Sequence, residues 1–107
     1  MMEINQQNLI HPGEVLLEEF LRPLKISYTK LAAETGISVR IIGAIARGKR
    51  SISPEIALRL SRYFGLSERF WLNLQIHYDL ETLKQTLRDR LETEVKICAI
   101  AQAPAQF

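Results

Sequence analysis

The stretch from Ser27 to Gly48, SYTKLAAETGISVRIIGAIARG, leaves little freedom in what this chain can fold into. Ser27 suits a helix N-cap, because its side-chain oxygen can accept from a backbone N–H one turn on. The periodicity that follows puts Leu31, Ala32 and Thr35 on one side and Tyr28, Lys30 and Glu34 elsewhere. Gly36 supplies a left-handed residue that stops a helix without steric cost. Ser38 offers a second cap, and a second helix can run to Arg47 before Gly48 stops it. Ile42, Ile45 and Ala46 fall on the inner face of that helix, with Ile37 packing at the turn. Two short helices joined by a brief glycine-containing turn form a helix-turn-helix pattern. Its second helix is built to enter a DNA major groove.

The charge distribution agrees with that chemistry. The 107 residues carry a net charge of only +2, but residues 22–62 hold nine basic side chains against Glu34 and Glu55. Residues 1–21 contain four acids and no Lys or Arg, and residues 63–107 are nearly balanced. Positive charge gathered on one motif is the footprint of a polyanion-binding face. The length suits one domain. No apolar run approaches the roughly 18 residues of a membrane span. The opening, MMEINQQNLI, lacks the basic-then-apolar build of a secretory signal, and Cys98 is alone, so a reducing cytoplasm is expected.

Around the motif, residues 1–10 read as a flexible leader. His11-Pro12-Gly13 starts a first helix with a buried stripe of Leu16, Leu17, Phe20 and Leu21, and Pro23 is expected to end it at or before Arg22. Leu24 and Ile26 should pack as the chain turns toward Ser27. Ser53-Pro54-Glu55 combines an N-cap, a proline at the first helical position and an acid in the first turn. Ala57, Leu60, Ser61 and Phe64 face the core from that helix, whereas Arg59 and Arg62 point outward into solvent. Ser67 should cap the next helix, whose heavy face is Phe70, Trp71, Leu74 and Tyr78. The expected fold is all-α, a compact globule of four to five helices spanning 11–78 and closing on Trp71.

Beyond it, Leu80, Leu83, Leu87 and Leu91 continue as a narrow stripe among charged neighbours. A seam of this kind on a terminal helix suits an interface better than a core. Residues 79–96 are therefore expected to be a helical extension forming a dimer interface, although the same stripe could fold back on its own domain. Whether the chain bends near Asp79 stays open. The tail, 97–107, is expected to fray.

Helical geometry turns Val39, Arg40, Gly43 and Ala44 outward as the candidate base-reading residues. Arg40 sits in the first turn of the second helix, where a guanidinium can donate two parallel hydrogen bonds to guanine O6 and N7. Gly43 allows close approach either to DNA or to a neighbouring helix. Candidate phosphate contacts are Tyr28, Thr29 and Lys30 at the start of the first motif helix, with Arg47, Lys49 and Arg50 after the second. A single motif reads only a few base pairs, so a homodimer on an inverted repeat is expected.

His11-Pro12-Gly13-Glu14-Val15-Leu16, Glu18-Glu19-Phe20-Leu21, Pro23-Leu24 and Leu31-Ala32 open a series of signatures that resembles HigA-type antitoxins, also called virulence-associated protein I. The series continues through Gly48-Lys49-Arg50, Ile52-Ser53-Pro54-Glu55, Ala57-Leu58-Arg59-Leu60 and Phe70-Trp71-Leu72-Asn73-Leu74-Gln75 to Tyr78-Asp79-Leu80. It covers roughly residues 11–80 and places the chain near the phage-repressor-like (XRE) group. The resemblance implies a lambda-repressor-like helix-turn-helix domain. It also implies a bacterial antitoxin that binds an mRNA-cleaving, HigB-like toxin and represses its own operon. Three features depart from the family: Tyr28 replaces a usual Gln, Val39 and Ile41 are apolar, and Gly43 replaces a commoner Ser. They bear on which operator is read.

The alternatives are a solitary XRE-type transcriptional regulator without a toxin, and a protein-interaction adaptor whose basic face is incidental. Catalysis has little support. His11 and His77 are far apart with no carboxylate or Cys at metal-ligand spacing, Ser27 and Ser38 are explained by capping, and no glycine-rich phosphate loop exists. No cofactor or metal is expected.

Overall fold

Three serine caps set the helical framework. In the computed structural model, which describes residues 9–100, the Oγ atoms of Ser27, Ser38 and Ser53 accept from the N–H groups of Lys30, Ile41 and Ile56 at 3.0, 3.1 and 3.3 Å. The helices they start are α2 (Tyr28–Thr35), α3 (Val39–Ala46) and α4 (Pro54–Phe64). Each cap satisfies a backbone donor that the helix itself cannot, worth about 1 kcal/mol. The described residues are otherwise turns and two further helices, so the fold is all-α with five helices.

The first helix, α1, is a continuous helical run through Pro12–Val15, Leu16–Leu21 and Arg22–Leu24, and it differs from expectation at Pro23. Its middle segment is π-helical, with the Arg22 N–H bonding to the Leu17 carbonyl five residues back. A proline inside an α-helix clashes with the carbonyl four residues earlier. The wider turn removes that conflict, so Pro23 stays within the helix. The run stops at Lys25, in the left-handed conformation at φ 57°, with the Ile26 N–H closing onto the Leu21 carbonyl at 2.9 Å. Leu24 is exposed rather than packed.

The core joins all five helices. Leu16, Leu21, Leu31, Ile42, Ile45, Leu60 and Trp71 are essentially inaccessible, with Ile37, Ile52, Ile56 and Ala57 completing the cluster. Phe20, Phe64 and Phe70 surround Trp71 at ring-centroid distances of 5.2, 6.3 and 5.0 Å. Ser67 does not cap the last helix with its side chain. A backbone turn from Ser67 to Phe70 precedes it, and α5 runs as one helix over Phe70–Glu94 with no break at Asp79. A helix of 25 residues is about 37 Å long at 1.5 Å per residue.

The described residues accordingly extend 54 × 29 × 28 Å. Trp71 and Gln75 are the buried residues of α5, whereas Leu80, Leu83 and Leu91 are roughly half exposed. At 100° per residue the leucine stripe lies almost opposite Trp71 and Gln75 on the helix. It therefore lies on the side of α5 away from Trp71 and Gln75. Residues 95–100 are non-helical and exposed; most of the leader (1–8) and of the tail (101–107) lies outside the described residues.

Candidate nucleic-acid interface

The turn between α2 and α3 is braced from three directions. Gly36 adopts φ +78°, a conformation that side-chain-bearing residues rarely take. The Thr35 hydroxyl donates to the Leu31 carbonyl at 2.6 Å and accepts from the Ile37 N–H at 3.2 Å. Arg59, expected to be solvated, instead donates from Nη1 to the Thr35 carbonyl at 2.8 Å while pairing with Glu55. It thus satisfies a carbonyl at the end of α2, a role that depends on α4 lying alongside. A Cβ on Gly36 would fall 2.6 Å from that guanidinium nitrogen, so the glycine also makes room for it.

With the inner face of α3 committed to Ile42 and Ile45, its outer face is presented to solvent. Val39 and Arg40 are exposed in the first turn and Ala44 is half-buried. Arg40 and Ala44 join Ser38, Ile41 and Arg50 around a shallow groove of about 330 Å³. Gly43 departs from the expected open position: it is buried, covered by side chains of Arg47 and Tyr28. At the start of α2, Ser27 consumes the Lys30 N–H, which leaves the Tyr28 and Thr29 amides without an intrahelical acceptor. Thr29 and Lys30 are exposed there, as are Arg47, Lys49 and Arg50 beyond α3. The structure thus groups Arg40 with Ala44 and Arg50, and Tyr28 with Gly43 and Arg47.

Two supports of this surface are tertiary and have no local sequence signal. Gln75, buried on α5, accepts the Ile52 N–H at 2.8 Å and donates to Asp79 Oδ1 at 3.0 Å, which pins the loop carrying Arg47, Lys49 and Arg50. Gly13 packs so closely under α3 that a Cβ would lie 1.6 Å from the Ile45 carbonyl oxygen. Its N–H donates to His11 Nδ1 at 2.9 Å, and the imidazole meets the Tyr78 ring edge-on at 4.9 Å. Desolvation by burial holds the His11 pKa below its ordinary value of 6.5, against the opposing pull of Asp79 and Glu14. On the far side, Tyr63 donates to Glu34 beside a groove also lined by Thr35, Arg59 and Arg62. Among the described residues no cluster of His, Cys, Asp or Glu could hold a metal ion, and no helix is long and apolar enough to cross a membrane.

A braced turn, a recessed first helix and an exposed, arginine-bearing second helix define a helix-turn-helix protein, and residues 17–71 match the family model for that motif. The chain belongs to the helix-turn-helix family, in the branch of virulence-associated protein I and the HigA antitoxins. It is 44% identical over 81 residues to virulence-associated protein I of Dichelobacter nodosus, covering 76% of this chain and 75% of that protein. Among solved structures, Pseudomonas aeruginosa antitoxin HigA with the higBA promoter superposes with a TM-score of 0.79 at 40% identity. That match covers 83% of this chain and 97% of the other. Antitoxin GraA in complex with its operator gives a TM-score of 0.81 at 35% identity, covering 92% and 99%. The two solved relatives are antitoxins, one with promoter DNA and one with its operator.

Proposed function

We propose that this chain is a sequence-specific, operator-binding antitoxin of the cytoplasm that represses its own operon and neutralises a HigB-like, mRNA-cleaving toxin. The observation that carries the DNA-binding part is the exposed first turn of α3. Arg40 stands exposed there and lines a shallow groove together with Arg50. Two relatives of matching fold, solved with promoter or operator DNA, support the same reading. In this reading Arg40 reads a guanine edge and Val39 and Ala44 offer apolar contact to thymine methyls, while Gly43, covered by Arg47 and Tyr28, does not meet the DNA itself. Tyr28, Thr29, Lys30, Arg47, Lys49 and Arg50 hold phosphates on either side and set the register.

The leucine stripe of α5 pairs two copies. Leu80, Leu83 and Leu91 are about half exposed, Leu87 between them is partly buried, and the exposed leucines favour burial against a second chain. Two α3 helices then meet successive major grooves on an inverted repeat. In domain terms, 11–78 is the DNA-binding unit and 79–96 the dimerising extension.

Titration of the purified chain with DNA from upstream of its own gene tests the DNA-binding part. Coexpression with the adjacent gene tests the toxin part: a stable complex that relieves growth arrest supports it. A neighbour with neither property would leave a solitary transcriptional regulator.

A further inference from the structure

Gly43 lies in the middle of the outward side of α3, yet it is buried, with Tyr28 of α2 and Arg47, the residue that follows α3, beside it. A Cβ there would stand 3.0 Å from Nη1 of Arg47 and 3.8 Å from Cδ2 and Cε2 of Tyr28. The Arg47 side chain therefore folds back along α3, its guanidinium above bare glycine backbone and beside the Tyr28 ring. The backbone itself does not demand glycine: the positive-φ glycines among the described residues are Gly36, Gly48 and Gly65. A helix-interior glycine costs stability relative to alanine, so what this one provides is space.

We propose that Gly43 and Tyr28 form a seat for the Arg47 guanidinium, holding it on the DNA-facing side of α3 to grip a phosphate. This inference rests on the DNA-binding reading above. An arginine free in solvent loses rotamer entropy when it grips a phosphate, and one already held in place loses less. An aromatic ring suits the position because its face attracts a guanidinium. Gly43 is then a positioning residue, Tyr28 adds this positioning to its own phosphate contact, and Arg47 carries the charge that the salt dependence reads. Filling the seat and removing the arginine become equivalent for DNA affinity, although they have opposite effects on the bulk of the helix.

The test is a salt series. Full-length wild type, Gly43→Ala, Gly43→Val, Arg47→Ala and the Gly43→Val/Arg47→Ala double variant are titrated with a duplex from upstream of the chain's own gene. Loss of one phosphate contact lowers the slope of log affinity against log salt by about 1, hence by about 2 for a dimer that loses one from each copy. Arg47→Ala is expected to show that loss, Gly43→Val to match it, and the double variant to lose nothing further. Gly43→Ala falls between, and Tyr28→Ala lowers the slope. Trp71 fluorescence verifies folding of each variant; should Gly43→Val not fold, Gly43→Ala and Tyr28→Ala carry the comparison. Folded Gly43 and Tyr28 variants that retain the wild-type slope overturn the seat. A wild type that binds no duplex at low salt overturns the DNA-binding reading instead, and does so before any variant is compared.

Discussion

The Gln75 side chain accepts a hydrogen bond from the Ile52 backbone N–H at 2.8 Å, joining the long α5 to the basic loop 23 residues earlier. Both residues are buried, at 4% and 2% exposure, so water cannot replace the bond. The loop that carries Arg47, Lys49 and Arg50 is therefore held at both ends: the Gly48 and Lys49 N–H groups bond to the Ile45 and Ala44 carbonyls of α3, and Gln75 ties Ile52 to the scaffold.

Gln75→Leu should destabilise the fold by about 1–3 kcal/mol, the cost of leaving a buried N–H unsatisfied. Urea unfolding followed by Trp71 fluorescence measures this. A midpoint equal to wild type would mean that the loop is held some other way.

Two glycine-to-alanine changes should act in opposite directions. Gly13→Ala drives a methyl into the Ile45 carbonyl, where the built Cβ sits at 1.6 Å. Overpacking against backbone of this severity should cost about 3 kcal/mol. Gly43→Ala presses on the flexible end of Arg47, meets the Tyr28 ring at ordinary contact distance, and should gain up to about 1 kcal/mol of helix propensity. Thermal melts of the two variants beside wild type decide the signs.

Stability should fall as pH drops below neutrality, and His11 should account for part of the fall. Its folded pKa is depressed below 6.5, mainly by burial, so the unfolded chain takes up the proton first. The contribution is complete above 6.5 and is lost as pH falls from there through the folded pKa. Protonation at Nδ1 also removes the acceptor for the Gly13 N–H. Urea midpoints at pH 7.5 and 5.5 should differ more for wild type than for His11→Asn, whose side chain can cap without titrating in that range.

Leu83→Asp with Leu87→Asp should leave the melting of the globule nearly unchanged but halve the mass seen by sedimentation at micromolar concentration. Binding to an inverted repeat should fall toward that of a half-site. An unchanged mass would move the pairing surface away from α5.

What the sequence disclosed was what its short-range chemistry determines. The Ser27, Ser38 and Ser53 caps, the Gly36 turn and the inward Ile42–Ile45 pair are local patterns, legible because each residue's role depends on neighbours within a turn. Pro23 misled because the π-turn that admits it is a backbone adjustment with no side-chain signature. Arg59 read as solvated because its acceptor, the Thr35 carbonyl, lies 24 residues away. Gly13 and Gln75 were silent for the same reason: one answers to the Ile45 carbonyl and the other to the Ile52 amide. At the interface, helical periodicity gave the outward direction of Val39, Arg40 and Arg47. It could not give the cover over Gly43, which needs a ring from α2.

The central claim is that the first turn of α3 reads DNA through Arg40. Wild type and Arg40→Ala should be titrated against the gene's own upstream DNA, with single base-pair substitutions across the bound site, at two salt concentrations. Wild type should bind one inverted repeat tightly, and Arg40→Ala should lose about 1–3 kcal/mol together with its preference at one position per half-site. Equal, weak binding by both proteins with no preference at any position would contradict the account.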